Sequence, residues 1–367
     1  MSKKKTKGFL RRQFSLRPLP IWIVVVADIL VFGISLNAYA LFHHVLPRRQ
    51  ESLKIVSQRH QATLTMPPEA LMEADPEITP VPVVTATPEI RVEESPIPGP
   101  TEEVSEEEMA EKDWVGHFGS KFADRFTEGE IIADKHGYKS DTLSVTLTRR
   151  KYKRSIAHVA DIYIKDITQL KTAFANDTFG LSNYEWPRHT SKRVGSIISV
   201  NGDNYGARQD GLVIRNGELF KSQNVTLEVC VIFWDGRMET YPGRKFNGKA
   251  AIAAGAYQAW NFGPSLLDGN GRPLKHFTNN SVGDHNPRTV IGYFEPGHYC
   301  LVVVDGRSDD SKGLDFKDLA ALMSGLGCQQ AFNLDGGNTS MMMVGDQVIS
   351  DPSEGGRACS DIIYFTP

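Results

Sequence analysis

The clearest pattern in the chain is a series of short apolar runs after residue 140, each bounded by turn residues. Residues 143–148 alternate apolar and polar positions with a period of two, which is typical of a half-buried strand. Similar runs, some alternating and some continuous, occur at 157–164, 195–200, 212–220, 228–241, 288–304, 331–334 and 340–344. The pattern predicts a strand-rich domain.

Three hairpins and one helix stand out in this part of the chain. The hairpin turns are predicted at Asn216-Gly217, at Asp235-Gly236 and across 295–298, because turn residues join two apolar runs directly. The helix is predicted from a capping Asp315 to about Leu326, since apolar residues at helical spacing fall on one face. We therefore predict an α+β domain with a mixed sheet and peripheral helices.

The amino end has a different pattern, a basic stretch followed by a long apolar run. We interpret residues 1–19 as a cytoplasmic basic tail and 20–46 as a transmembrane signal-anchor, because about 20 apolar residues span a bilayer and basic flanks stay inside. The alternative is a cleaved signal peptide with Ala38-Tyr39-Ala40 as its cleavage pattern. Both place the remainder outside the cytoplasm, and the first predicts a single-pass protein of the cell membrane.

Charge divides the chain into three unlike pieces. Residues 1–60 hold 11 basic and 2 acidic residues, residues 61–111 hold 1 and 13, and residues 112–367 hold 29 of each. Prolines punctuate the acidic piece, so 47–111 is predicted to be a disordered Pro/Glu-rich juxtamembrane linker. Residues 112–367 are long enough for one large domain, and their zero net charge argues against nucleic-acid binding.

Several chemistries are excluded by motif. The chain has no Gly-x-Ser-x-Gly elbow, no Walker loop and no Gly-x-Gly-x-x-Gly fingerprint. It has no histidine pair at metal-ligand spacing and no Cys-x-x-Cys, so no metal or other cofactor is predicted, although an oxygen-ligated Ca²⁺ or Mg²⁺ stays open. The four cysteines are expected to be reduced and buried, with disulfides as the alternative. They are Cys230, Cys300, Cys328 and Cys359.

Polar residues cluster where the predicted strands end, and strand ends present side chains to a common rim. Two aspartates and two arginines are the candidate catalytic groups, which we expect to line one pocket: Asp203, Asp335, Arg288 and Arg307. Arginine suits an anionic substrate because its guanidinium binds phosphate through two hydrogen bonds. The candidate substrate-binding residues are Asn201, Gly202, Asp268, Asn333, Gly336, Gly337, Thr339 and Arg357.

The order of these motifs resembles the phosphodiester glycosidase family over residues 140–367. The motifs are Ser-Val-Asn-Gly-Asp at 199–203, Asn-Phe-Gly-Pro at 261–264, Leu-Asp-Gly at 267–269, Arg-Thr-Val-Ile-Gly at 288–292, Val-Asp-Gly-Arg at 304–307 and Asn-Leu-Asp-Gly-Gly at 333–337. The family reads Asp-Gly-Gly-Gly-Ser where this chain has Asn338 and Thr339 after the two glycines. Asn tolerates left-handed backbone, so the turn can be retained. Bacterial members of the family are often labelled exopolysaccharide-biosynthesis proteins.

The resemblance implies hydrolysis of a sugar-1-phosphodiester at the anomeric C–O bond of a phosphorylated surface glycan. Arg288 and Arg307 would bind the phosphate, with Arg357 as a third candidate, and the two aspartates would be base or nucleophile and partner, or ligands of the sugar hydroxyls. Asn201, Asn333 and Thr339 would hydrogen-bond the sugar. Two other classes stay open, a non-catalytic module that binds cell-wall glycan and a metal-dependent phosphodiesterase. The predicted partners are the glycan and, through the apolar helix, the membrane.

Overall fold

The computed structural model describes residues 116–244, 246–278 and 283–367. The predicted basic tail, signal-anchor and linker lie outside these residues. Within the described ranges, no helix is long and apolar enough to cross a membrane.

Strands dominate the described residues, with only three α-helices among them. The strands are β1 Ile132–Asp134, β2 Gly137–Lys139, β3 Leu143–Tyr152, β4 Ser155–Ile164, β5 Leu170–Phe174, β6 Ile198–Asn201, β7 Gly211–Arg215, β8 Glu218–Gln223, β9 Glu228–Phe233, β10 Met238–Tyr241, β11 Ala256–Phe262, β12 Arg288–Glu295, β13 His298–Val304, β14 Gln330–Asn333, β15 Met342–Val344, β16 Gln347–Val348 and β17 Asp361–Phe365. The helices are α1 Pro187–Val194, α2 Gly248–Ala253 and α3 Phe316–Gly325. The predicted strand-rich domain is confirmed.

The strands form three antiparallel sheets. Their orders are β1-β2-β3-β4-β13-β12-β14, β10-β9-β11-β7-β8 and β16-β15-β6-β17-β5. Every strand pairing in the described residues is antiparallel, so the predicted mixed sheet is wrong. Hairpins and returning loops connect the strands, whereas parallel neighbours would need long crossovers, usually through helices.

The main core lies between the inner faces of the three sheets. Along β13, Tyr299, Leu301 and Val303 enter this core, while the alternate residues Cys300 and Val302 enter a second one on the outer face. Because both faces of β13 are buried, its sequence is apolar at successive positions rather than alternating. Strands from all three sheets contribute side chains to the main core.

Each sheet has a helix against its outer face. The seven-stranded sheet is covered by α3, which begins at its cap Asp315 and buries the predicted face of Phe316, Leu319, Ala320 and Met323. Apolar residues of α2 pack on the sheet that contains β9, and Val194 of α1 packs on the sheet that contains β17. The sequence patterns predicted α3 and did not predict α1 or α2.

The three predicted hairpins are present as β7–β8, β9–β10 and β12–β13. All four cysteines are buried and free, as preferred from the sequence. The thiol sulfurs of Cys300 and Cys328 lie 3.6 Å apart, in contact but unbonded.

Candidate active site

The site begins where β14 ends and the chain enters the turn 335–339. Asp335 is the first residue of this turn, and its main chain is held against the turn that follows β6. Its N–H donates to the carbonyl of Gly202 (3.2 Å), and its own carbonyl accepts from the side-chain amide of Asn201 (2.7 Å). The ends of two strands from different sheets therefore meet at Asp335, as the strand-end pattern predicted.

The carboxylate of Asp335 is largely buried and lies beside an exposed arginine. Its Oδ2 accepts from the Thr339 hydroxyl (2.7 Å) and from Nη2 of Arg357 (2.9 Å). The Asp335 side chain is 11% exposed and the Arg357 side chain 52%. Burial raises the pKa of Asp335, while the Thr339 hydroxyl and the Arg357 guanidinium act in the opposite direction. In the part of the chain that the structure describes, Oδ1 of Asp335 accepts no hydrogen bond, so one carboxylate oxygen remains available.

A second exposed arginine lies across the same turn. Arg307 donates to the side-chain oxygens of Asn286 (2.9 Å from Nη2) and Asn338 (2.6 Å from Nη1). Asn338 donates in turn to Glu354 (2.6 Å). The residue that departs from the family motif therefore orients Arg307, rather than only replacing a glycine.

The two glycines of the turn are required by close approaches. A Cβ at Gly336 would lie 2.8 Å from the carbonyl oxygen of Pro287, closer than real Cβ contacts allow. Gly337 has φ +66°, and a Cβ there would lie 3.2 Å from Nη2 of Arg307. Gly336 therefore lets the turn pack against the residue before β12, and Gly337 supplies the left-handed backbone that the turn requires.

Three residues predicted to bind sugar are instead buried within the frame of the site. Asn201 accepts from the Thr289 hydroxyl (2.8 Å) through its side-chain oxygen, and Asn333 donates to the carbonyl of Gly263 (2.9 Å). Thr339 is fully buried and donates to Asp335. Their amide and hydroxyl groups hold strand ends together, so direct contact with a sugar is not favoured by this geometry.

Arg288 was predicted to bind phosphate, and the structure places it beneath the rim. The residue is 3% exposed and its Nε and Nη2 donate to the carbonyls of Leu314 (2.8 Å) and Asp284 (2.6 Å). Its guanidinium lies 4.3 Å from the centre of the Phe316 ring. Burial lowers the pKa of Arg288 to about 10. Strand β12 begins at Arg288, and the first residues of α3 cover its side chain. Arg288 therefore bonds loop carbonyls and does not face solvent.

Asp203 also lies below the rim. Its side chain is 0% exposed, and its two oxygens accept from Nη2 of Arg215 (3.0 Å) and from the backbone N–H of Asn261 (2.8 Å). Nε of Arg215 donates to Asp361 (2.8 Å), which completes a buried triad of two carboxylates and one guanidinium. Of the four residues expected to line one pocket, only Arg307 and Asp335 present side chains at the rim.

Asp268 lies away from this cluster. Its carboxylate accepts from the backbone N–H groups of Asn270 (2.8 Å) and Arg272 (3.1 Å), which is an ordinary aspartate turn. The same loop contacts the start of β14, since Gly271 donates to the carbonyl of Gln329. Asp335 follows the other end of that strand, so the structure does not bring Asp268, predicted to bind substrate, together with Asp335.

A buried histidine–aspartate pair, which sequence reasoning missed, links the two arginine-bearing segments. Nε2 of His158 lies 2.7 Å from Oδ2 of Asp305, two residues before Arg307. The other oxygen of Asp305 accepts from the backbone N–H of Asp351 (2.9 Å), at the start of the segment that leads to Arg357. No local motif reveals this pairing, because the two residues are 147 positions apart. Arg215, Asp361, Asn286 and Glu354 were missed in the same way.

One group of side chains in the described residues could hold a metal ion. It consists of His285, Asp315 and Asp318, whose ligand atoms lie within 4.8 Å of one another. Asp315 already accepts from the backbone N–H of Asp318 as the cap of α3, and Asp318 pairs with Lys153. These internal partners give the group a structural role in the fold.

The turn after β14 thus holds a largely buried carboxylate and contacts two exposed arginines. Residues 194–366 match the phosphodiester glycosidase family. This match confirms the resemblance predicted from the sequence and places its most similar part at the carboxyl end of the chain. The family indicates a hydrolase of the glycosidase type.

A curated protein is similar to part of this chain. Over 184 residues the chain is 32% identical to the SPbeta prophage-derived uncharacterized protein YomE of Bacillus subtilis (strain 168). The aligned region covers 48% of this chain and 29% of that protein. It therefore spans less than a third of the length of this curated relative.

Two solved structures are also similar. One is the catalytic domain of zebrafish N-acetylglucosamine-1-phosphodiester alpha-N-acetylglucosaminidase, auto-inhibited by its pro-peptide, with a TM-score of 0.49 and 17% identity over 61% of this chain and 83% of that one. The other is a hypothetical protein from Synechocystis, with a TM-score of 0.49 and 12% identity over 64% of this chain and 63% of that one.

Proposed function

We propose that the domain hydrolyses a sugar-1-phosphodiester at the anomeric C–O bond, with Asp335 acting at the sugar and Arg307 at the phosphate. The observation that carries the proposal is a single turn that holds the largely buried Asp335 carboxylate, paired with the exposed Arg357, and that contacts the exposed Arg307 through Asn338. The family match supports the same reaction class.

The chemistry follows from the leaving group. When the C–O bond breaks, its electron pair leaves with the phosphate monoester, and the oxygen of water becomes bonded to the anomeric carbon. Ordinary glycosidases need a carboxylic acid to protonate the leaving oxygen. A phosphate monoester leaves with less need of a proton, and its charge can be stabilised by guanidinium groups. Two exposed arginines and one buried carboxylate meet these requirements.

The arginines and aspartates have different roles in this reaction. Arg307 binds the phosphate, and Asn338 and Asn286 fix its guanidinium. Arg357 holds Oδ2 of Asp335, which leaves Oδ1 to act as base or nucleophile at the sugar. Asp203 and Arg288 are positioning residues in this account, because they support the two loops from below.

We also propose that the substrate is a cell-surface or exopolysaccharide glycan reached from an uncleaved membrane anchor. The basic tail followed by the apolar run supports this placement. Protease added to intact cells should release a soluble fragment of roughly residues 112–367. Full protection of that fragment would contradict an outward orientation.

Hydrolysis in ¹⁸O-labelled water tests the reaction itself. A suitable substrate is the methyl phosphodiester of N-acetylglucosamine, chosen because the zebrafish relative is named for this sugar. Label in the released sugar is the expected result, since it requires C–O cleavage. Label in the phosphate would mean P–O cleavage and would favour a metal-dependent phosphodiesterase. Glycan binding without turnover would favour a non-catalytic module.

A further inference from the structure

Two exposed aromatic side chains lie beside the segment that carries Arg357. Tyr184 is 40% exposed and Trp186 is 38% exposed. Among the described residues, the other large apolar side chains exposed to this degree are Ile131 and Ile132, at an edge of the seven-stranded sheet. Exposed apolar patches can mark ligand-binding surfaces.

The aromatic segment is joined to the site through the main chain. Glu185, between the two aromatics, exchanges backbone hydrogen bonds of 3.0 Å with Cys359 in both directions. The Trp186 ring lies against Gly356, where a Cβ would be 3.3 Å from Cζ3 of the ring. Gly356 directly precedes Arg357, which binds Asp335. The indole therefore lies next to the catalytic rim.

Hydrogen bonds to Glu185 hold the backbone between the two rings in place. Glu185 accepts through Oε2 from the backbone N–H of Asn176 (2.8 Å), the hydroxyl of Thr190 (2.8 Å) and Nη2 of Arg193 (2.6 Å). Trp186 is the residue before α1, whose first position is Pro187. A surface held in this way loses little conformational entropy when it binds a ligand.

We propose that Trp186 and Tyr184 form a sugar-binding platform that continues the active site, so that the substrate is an oligosaccharide or polysaccharide rather than a single sugar. The inference rests on the proposed function. One face of a pyranose ring presents C–H groups, which carry a small positive charge. They pack on the electron-rich face of an aromatic ring, as the C–H edge of a second aromatic ring does. The Arg188 guanidinium lies 5.8 Å from the Trp186 ring centre and borders the platform.

The kinetic test compares a short and a long substrate. These are the methyl phosphodiesters of N-acetylglucosamine and of its tetrasaccharide. The ratio of kcat/KM for the long over the short diester should fall about 3- to 10-fold in Trp186→Ala, mainly through KM on the long diester. Trp186→Phe should restore most of the ratio. Ile132→Ala, which removes an apolar side chain of similar exposure elsewhere, should keep the wild-type ratio.

A binding test separates failure of the platform from failure of the proposed reaction. The N-acetylglucosamine tetrasaccharide is titrated against Asp335→Asn protein, with and without Trp186→Ala, and tryptophan fluorescence is recorded together with calorimetry. At least threefold weaker binding in the double variant supports the platform even if neither diester is hydrolysed. Equal binding by both proteins, or no binding by either, overturns it. If Trp186→Ala does not fold, Tyr184→Ala provides the same comparison.

Discussion

The turn at Asp335 and the triad below it are built from the same residue types in different surroundings. In the triad, Asp203, Arg215 and Asp361 all have side chains that are 0% exposed, and one guanidinium serves two carboxylates. At the rim, Asp335 is also largely buried, but its partner Arg357 is half exposed. The difference lies in solvent exposure: the guanidinium of Arg215 is sealed from water, whereas that of Arg357 is half exposed.

This contrast separates structural from functional charges. A charge fully removed from water must be paired, because its lost hydration costs several kcal/mol. In the triad, both oxygens of Asp203 are already bonded within the protein. The rim instead keeps exposed guanidinium groups on Arg307 and Arg357, which can donate to an incoming anion. We therefore assign support to the triad and chemistry to the rim.

The largest expected effect comes from breaking the triad. Arg215→Met leaves two buried carboxylates without their shared counter-charge, so the free energy of unfolding should fall by about 3–5 kcal/mol in urea titrations. Arg237→Met is the matched control, because Arg237 also pairs with two carboxylates but is 49% exposed. It should cost less than about 1 kcal/mol. Equal losses would remove the distinction based on burial.

Removing the rim arginine should affect activity instead. Arg307→Ala should lower kcat/KM on a sugar-1-phosphodiester by about 10²–10³, because a donor to the departing phosphate is lost. An activated aryl glycoside, whose leaving group needs less help, should recover much of that loss. The thermal midpoint should stay close to wild type, since Arg307 is exposed. Equal loss on both substrates would contradict the phosphate role.

The triad should also give stability a pH dependence. Burial raises the pKa of Asp361 to about 6, although Arg215 acts in the opposite direction. The folded protein thus keeps this proton between about pH 4 and pH 6, where the unfolded chain releases it. This contribution is fully present below about pH 4 and is lost as the pH rises through 6, by up to about 3 kcal/mol. Urea titrations across this range should show a flatter profile for Asp361→Asn, and an unchanged profile would refute the assignment.

The smallest expected effect concerns the residue that touches both regions. A Cβ at Gly202 would lie 2.0 Å from Oδ1 of Asp361, while the Gly202 carbonyl accepts from the N–H of Asp335. Gly202→Ala should therefore lower both stability, by about 1–3 kcal/mol, and activity. Gly325→Ala is the control, because nothing lies within 4 Å of its added Cβ. Loss of stability with full activity would show that the triad and the rim are independent.

The fold was predictable where the signal is local. Hairpins with tight turns and the capped helix α3 depend on neighbouring residues, and all of them are present. The division into three sheets depends on distant pairs, such as β6 with β17 and β4 with β13, which no local pattern encodes. The short helix α1 was missed because most of its residues are polar, and its four buried residues include Thr190 and Ser191, so its buried face carries no apolar pattern.

The sequence predicted which strand ends meet at the site, but not which side chains point to its surface. Strand ends do bring Asn201, Gly202 and Asp335 together. The sequence could not show which aspartate turns inward, since Asp203 and Asp335 follow similar apolar runs. The decision depends on Arg215, a buried arginine in an apolar strand that holds Asp203 and Asp361. Asn338, noted as a departure from the family motif, proved to be the partner of Arg307.

The most direct test of the central claim is the activity of Asp335→Asn beside that of Asp268→Asn. Both replace an aspartate by asparagine. Asp335 lies at the rim, after the end of β14, and Asp268 lies in an ordinary turn near its start. We predict that Asp335→Asn lowers kcat/KM for the sugar-1-phosphodiester by about 10²–10⁴ with a thermal midpoint near wild type, as loss of an acid–base group does. Asp268→Asn should stay within about twofold of wild type, since a turn substitution removes no reacting group. Full activity in Asp335→Asn would contradict the account and would leave a glycan-binding module as the better explanation.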